Sequence, residues 1–310
     1  MPLTAIPSHR LTLFHCTNPD GQLLDPSSTR ETIVDRPSKP ELPLLVFLHA
    51  AGANILGWRH QLSDPRLTNN FNVLLIDCPF HGFSEAEERP EHTLEDSADC
   101  VVELLDKLDV PPFAIYGEGV HGVNVALHVC LKRPEKVKGL LLASPGWRAE
   151  DAGVKSALMD IEEEMFVNKD GKGDGTGSLP AEALENITCY CIGDSARLAE
   201  RRKEMAQYFQ ERYGTGRSAH DMRFLFTFIY NRNPIPAEQV ATVTCPVLIL
   251  RGSTDNIVCP ESACEEWCSA LSSARDGCKI HTISSATSNL SLVEGNILSR
   301  IMAKFFETCF

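Results

Sequence analysis

The chain is 310 residues long, 43% hydrophobic and carries a formal net charge of −13, so it can bury a substantial core. With a pI near 5.2 it lacks the basic surface that tracks nucleic-acid phosphates. No segment reaches the roughly 18 uninterrupted apolar residues of a membrane span, and MPLTAIPSHRLTLFHC is not a basic-then-apolar leader, so the expectation is a cytoplasmic protein without nucleic-acid or membrane partners.

An N-terminal segment, RLTLFHC with ETIVD, is expected to form a hairpin. Two short apolar runs follow, each ending in a loop: LPLLVFLHA leads into AAGANILGW, and FNVLLIDC leads into PFHGFSE. Both read as buried strands. HTLEDSADCVVELLDKLDV has helical spacing and Thr93 to cap it. The pattern continues with strand FAIY, helix VNVALHVCLKRP and strand VKGLLLASP. Later come strand CPVLILRGSTD, a helix around SACEEWCSALSSA, strand CKIHTIS and helix EGNILSRIMAKFFE. Strands alternating with helices predict an α/β fold, a doubly wound and mainly parallel sheet covered on both faces.

Between Gly146 and about Val243 the strand signal disappears. The helical stretches DAGVKSALMDIEEEMF, ARLAERRKEMAQYFQERY and MRFLFTFIYN, broken by NKDGKGDGTGS, predict a helical cap. The glycine-rich loop fails as a calcium loop, since Lys172 and Ala181 stand where carboxylate ligands are needed. The resulting division is a core of 1–147 and 243–310 and a cap of 148–242. Twelve cysteines without a C-x-x-C pair read as buried thiols rather than a disulfide framework, and the pair Cys264 and Cys268 makes no zinc site. No metal or other cofactor is assigned.

Gly117, Gly119 and Gly122 in FAIYGEGVHGVNVAL spell G-x-G-x-x-G between a strand and a helix. A dinucleotide site needs a carboxylate at the end of the next strand to hold the ribose, and that strand ends LLLASPG, which argues against one. The alternative is the strand-to-helix elbow G-x-S-x-G with glycine in place of the nucleophile.

Residues 42–147 and 243–308 resemble the α/β-hydrolase superfamily. FLHAAGAN is similar to its H-G-x-G loop and IDCPFHGFSE to its D-x-P-G-H-G-x-S element. YGEGVHGVNVAL stands at the nucleophile elbow, and LILRGSTDNIVCP resembles the segment that presents the acidic member of the triad. The resemblance implies that Asp255 is that acid, that Gly119 holds the nucleophile position and Ser288 the histidine position, and that the N–H groups of Val120 and of Ala50 or Ala51 form an oxyanion hole. Of a Ser-His-Asp arrangement only the acid remains, which disfavours acyl transfer. His281 falls within a predicted strand, short of the final loop. His121 is the first candidate for proton transfer, while His49 and His81 match positions that brace the neighbouring loops and Glu118 one that serves as buried support. His49, His220, Phe224 and Phe228 are candidates for lining a pocket, and glycine at 119 is expected to leave extra room there.

These features lead to the expectation of a non-hydrolytic enzyme, a lyase, isomerase or cyclase, acting on a small, largely apolar carbonyl compound. One alternative is a catalytically silent binding or scaffold protein, for which the N-myc downstream-regulated branch of the fold is a precedent. Another is an esterase whose serine has been replaced by Gly119. A small-molecule ligand is expected, and a homo-oligomer is compatible with the sequence.

Overall fold

The computed structural model describes residues 3–21, 24, 27–86, 92–149, 152, 153, 155, 156, 159, 185, 188, 189, 192, 193, 195–213, 228, 232–256 and 258–310. Nine strands form the sheet: β1 (Leu3–Ile6), β2 (Leu11–Thr17), β3 (Leu44–Leu48), β4 (Asn72–Ile76), β5 (Glu85–Ala86), β6 (Phe113–Glu118), β7 (Val137–Ala143), β8 (Val247–Gly252) and β9 (Lys279–Ile283). Their order is β1-β2-β4-β3-β6-β7-β8-β9, with β5 paired to β2. From β4 to β9 every neighbouring pair is parallel, and β1, β2 and β5 pair antiparallel.

This is the expected α/β fold, mainly parallel and covered on both faces. Alternation along β3 shows why: Leu44, Val46 and Leu48 join one core, and Leu45 and Phe47 join the other. Period-two alternation sends them to opposite faces, and both faces are buried. The first core is closed by helices α1 (Leu94–Lys107), α2 (Gly119–Lys132) and α4 (Glu261–Ala270), the second by α5 (Gly295–Phe306). α3 (Ala199–Tyr213) precedes α4 in the chain. α1 starts after Thr93, the cap the sequence predicted, which exchanges side-chain and backbone hydrogen bonds with Asp96 in a capping box.

The expected N-terminal hairpin has a different partner. β2 pairs with Leu3–Ile6, and residues 31–35 form no strand. The latter segment is tied to the end of β2 by two separate bonds, from Thr17 N–H to the Asp35 carboxylate (2.7 Å) and from Arg36 N–H to Thr17 O (2.9 Å). Cys264 and Cys268 lie on one helix but turn to different thiols, Cys259 at 3.4 Å and Cys278 at 2.6 Å. NKDGKGDGTGS and most of 148–242 lie outside the described residues, where only ARLAERRKEMAQYFQERY can be compared; it forms a short 3-10 turn running into α3. No helix among the described residues is long and apolar enough to cross a membrane.

β3 lies between β4, which follows it, and β6, which comes later. The winding direction therefore reverses at β3, and the loops after these three strands meet at the crevice where such sheets place their ligands. Close packing there explains the third glycine of the motif. A Cβ on Gly122 would lie 2.3 Å from Leu48 O and 2.7 Å from His49 O, both rigid backbone atoms. Gly122→Ala is expected to cost roughly 3 kcal/mol in denaturant titration. Gly57→Ala, whose Cβ would meet nothing within 4 Å, should shift stability by less than about 1 kcal/mol.

Candidate functional site

β6 ends at Glu118 and the chain turns into α2 at Gly119, whose φ of 66° is left-handed. Glycine takes this conformation without cost. The space beside it is filled. A Cβ built on Gly119 would lie 2.7 Å from the Ala50 methyl and 3.3 Å from its Cα, so the expected extra room at the elbow is corrected: the Ala50 side chain occupies it. Val120 follows directly, and its N–H belongs to the first turn of α2, where amides have no acceptor within the helix.

His121 does not reach the elbow space. It is buried, its Nδ1 lies 3.4 Å from His49 O, and its ring packs 4.5 Å from His81 and stacks 5.9 Å from His49. Burial, reinforced by the nearby His49, pushes its pKa down to about 3. His49 is equally enclosed. Its Nδ1 contacts Ala50 O at 2.8 Å, its Nε2 accepts the Cys78 N–H at 3.0 Å, and burial lowers its pKa to about 4. His81, held by Pro79 O at 2.8 Å from its Nδ1, completes the group. Each histidine comes from the loop or helix start after a different central strand. Below them Asp77 binds the two loops together, accepting Ile55 N–H at 2.9 Å and Phe83 N–H at 2.7 Å.

Phe228 closes the cluster, with ring centroids 5.8 Å from His121 and 6.5 Å from His81. Of the proposed pocket-lining residues it is the one from the predicted cap that can be placed; His220 and Phe224 lie outside the described residues. A cavity bordering the loop after β3, lined by Ala53, Asn54, Glu204, Met205 and Leu292 among others, measures about 40 Å³. That is room for about one water.

Asp255 is buried in the loop after β8, where its Oδ1 accepts the N–H groups of Val258 (3.0 Å) and Cys259 (3.1 Å). Ser288 is buried in the loop after β9, and His281 is exposed on β9 itself. Glu118 joins the elbow to this last loop. Its carboxylate accepts the Ser291 N–H at 3.0 Å and the Ser291 hydroxyl at 2.6 Å, with Tyr116 and Trp58 beside it. Burial raises its pKa and these hydrogen bonds pull it back.

Sequence reasoning named the three histidines separately and missed that they meet, because positions 49, 81 and 121 have no local spacing to betray them. Their shared position just beyond three adjacent strand ends was the available signal. The Ala50 methyl against Gly119 was missed as well, although alanine where the H-G-x-G loop has glycine was visible.

A family model described as the alpha/beta hydrolase family matches residues 45–290. The 2-hydroxy-6-oxononadienedioate/2-hydroxy-6-oxononatrienedioate hydrolase of Escherichia coli (strain K12) is 28% identical over 104 residues, 33% of this chain and 36% of that protein. The magnesium-chelatase 30 kDa subunit of Rhodobacter capsulatus is 32% identical over 92 residues, 30% of this chain and 31% of that protein. The chain thus spans about a third of the length of these relatives. The crystal structure of a hydrolase from Pseudomonas aeruginosa PA01 superposes with a TM-score of 0.73 at 19% identity, covering 98% of this chain and 97% of that one.

Proposed function

The chain belongs to the alpha/beta hydrolase family, and on that premise we propose that it is a catalytically silent member, one that binds a small, largely apolar carbonyl compound without forming a covalent bond at the elbow. The observation that carries this reading is the Ala50 methyl, 2.7 Å from where a nucleophile's Cβ would stand on Gly119. A serine there would overlap a rigid side chain. The triad acid, Asp255, has its Oδ1 taken by two backbone N–H groups of its own loop. In this reading the N–H groups of Val120, Ala50 and Ala51 hold the ligand's carbonyl oxygen, and 148–242 is the cap whose His220, Phe224 and Phe228 complete the pocket.

The lyase, isomerase or cyclase reading has less support. A general base works best with a pKa near the operating pH, and His121 at about 3 and His49 at about 4 are weak bases. The names of the relatives favour hydrolysis, but only for those proteins.

Gly119→Ser is expected to gain no esterase activity on p-nitrophenyl esters and no labelling by a fluorophosphonate, and to lose about 1–3 kcal/mol of stability from the overlap. Adding Ala50→Gly should recover the part of that loss due to the overlap, but not the part due to a serine at a left-handed φ, while leaving the protein inert, and activity should appear only once Ser288→His is included. Ester hydrolysis by the wild-type chain, or strong activity from Gly119→Ser alone, would overturn the reading.

A further inference from the structure

We propose that His49, His81 and His121 form a binding site for one divalent transition-metal ion of the zinc type. One ring nitrogen from each lies within 4.8 Å of those from the other two, and all three residues are buried. The proposal does not rest on the silent reading of the elbow, because these rings lie beside that turn and none of them is part of a triad.

The hydrogen bonds set the rings in the form a metal requires. Each Nδ1 faces a backbone carbonyl: His49 that of Ala50 at 2.8 Å, His81 that of Pro79 at 2.8 Å, and His121 that of His49 at 3.4 Å. A ring nitrogen against a carbonyl oxygen carries the proton, so each Nε2 carries the lone pair. Metal-ligating histidines are held this way, the far nitrogen donating to a carbonyl that fixes tautomer and orientation. The Nε2 of His121 is buried and has no hydrogen-bond partner among the described residues, an arrangement that costs stability unless something fills it.

Charge and surroundings fit a dication. Asp77 places a carboxylate oxygen 4.0 Å from His49 Nε2, near enough to offset buried positive charge without itself being a ligand. Phe228 lies over His81 and His121 and limits access of solvent. Three neutral imidazoles suit zinc, copper, nickel and cobalt far better than magnesium or calcium.

Two adjustments are needed. Donors about 2.0–2.1 Å from a shared tetrahedral ion stand about 3.4 Å apart, so the rings must close from the 4.8 Å spread. His49 must also exchange the Cys78 N–H on its Nε2 for the metal.

The test uses the full chain, stripped with chelator, dialysed against zinc and analysed for bound metal, with cobalt as a spectroscopic probe. The expected result is one retained equivalent, a tetrahedral cobalt spectrum, and X-ray absorption showing nitrogen scatterers at about 2.0–2.1 Å. His121→Asn and His81→Gln should each weaken binding at least ~100-fold, whereas His281→Ala on the exposed edge strand leaves it unchanged. Circular dichroism identifies any variant that fails to fold, and the wild-type spectra test the site without any variant. No retained ion, an oxygen-dominated shell, or undiminished binding by folded His121→Asn would overturn the proposal. Since esterase assays of the elbow variants read a different event, the failure of either proposal leaves the other standing.

Discussion

Acidifying the metal-free protein from pH 6.5 towards pH 4 is expected to strip away several kilocalories per mole of stability. His49 and His121 have pKa values pushed down from 6.5 to about 4 and about 3 by burial. Above pH 6.5 they are neutral whether the chain is folded or not, and their titration costs nothing. Below it the unfolded chain takes up a proton at each of these two histidines that the folded chain refuses, and each refusal is worth about 1.4 kcal/mol per pH unit until the folded pKa is reached; His60, its pKa lowered to about 4 by burial and nearby arginines, adds to the slope. Against a total of about 5–15 kcal/mol that is enough to threaten the fold. Urea titrations in the presence of chelator, at half-unit steps of pH, should show the midpoint level above 6.5 and falling steadily below it. A His49→Gln/His121→Leu double variant should flatten the slope. An unchanged wild-type midpoint down to pH 4.5 would mean that the rings are solvated in a way the packing does not suggest.

Glu118→Ala is expected to destabilise the protein by about 3–5 kcal/mol. The carboxylate is the acceptor for both the Ser291 N–H and its hydroxyl, and both donors are buried. Removing the acceptor leaves each unsatisfied at about 1–3 kcal/mol, and deletes buried volume as well. Glu118→Gln, which keeps one oxygen, should cost about half as much, and Ser291→Ala about 1 kcal/mol. Because the bond ties the elbow to the short helix Leu290–Val293, the alanine variant should also expose the loop after β9 to limited proteolysis at temperatures where the rest of the chain is protected. Equal stability of the Ala and Gln variants would count against the hydrogen-bonding account.

The layered architecture was legible because parallel strands buried on both faces write themselves as continuous apolar runs, as LLVFL and NVLLI do at 44–48 and 72–76. The N-terminal pairing was not. ETIVD carries β-branched residues, but its attachment to β2 runs through the Asp35 side chain and a single backbone bond, which residue type does not announce. The turn at Gly119 and the loop that carries Asp255 were readable from local motifs, since each is a turn with its own backbone demands. The joining of His49, His81 and His121 was not readable, because it depends on strand order: only the reversal of winding at β3 brings loops 32 and 40 residues apart in sequence to one place. Glu118 was read as a support, and its partner Ser291, 173 residues away, had no sequence signal at all.

The interlocking of Ala50 with Gly119 also bears on history. Two positions share a volume that holds one methyl group, so a serine at 119 also needs glycine at 50, and in the silent reading neither exchange is rewarded until Ser288 has become histidine as well. Serine at 119 meets the methyl first, and glycine at 50 first opens a void that does nothing. On the silent reading this works as a ratchet: selection for hydrolysis finds no single substitution to act on.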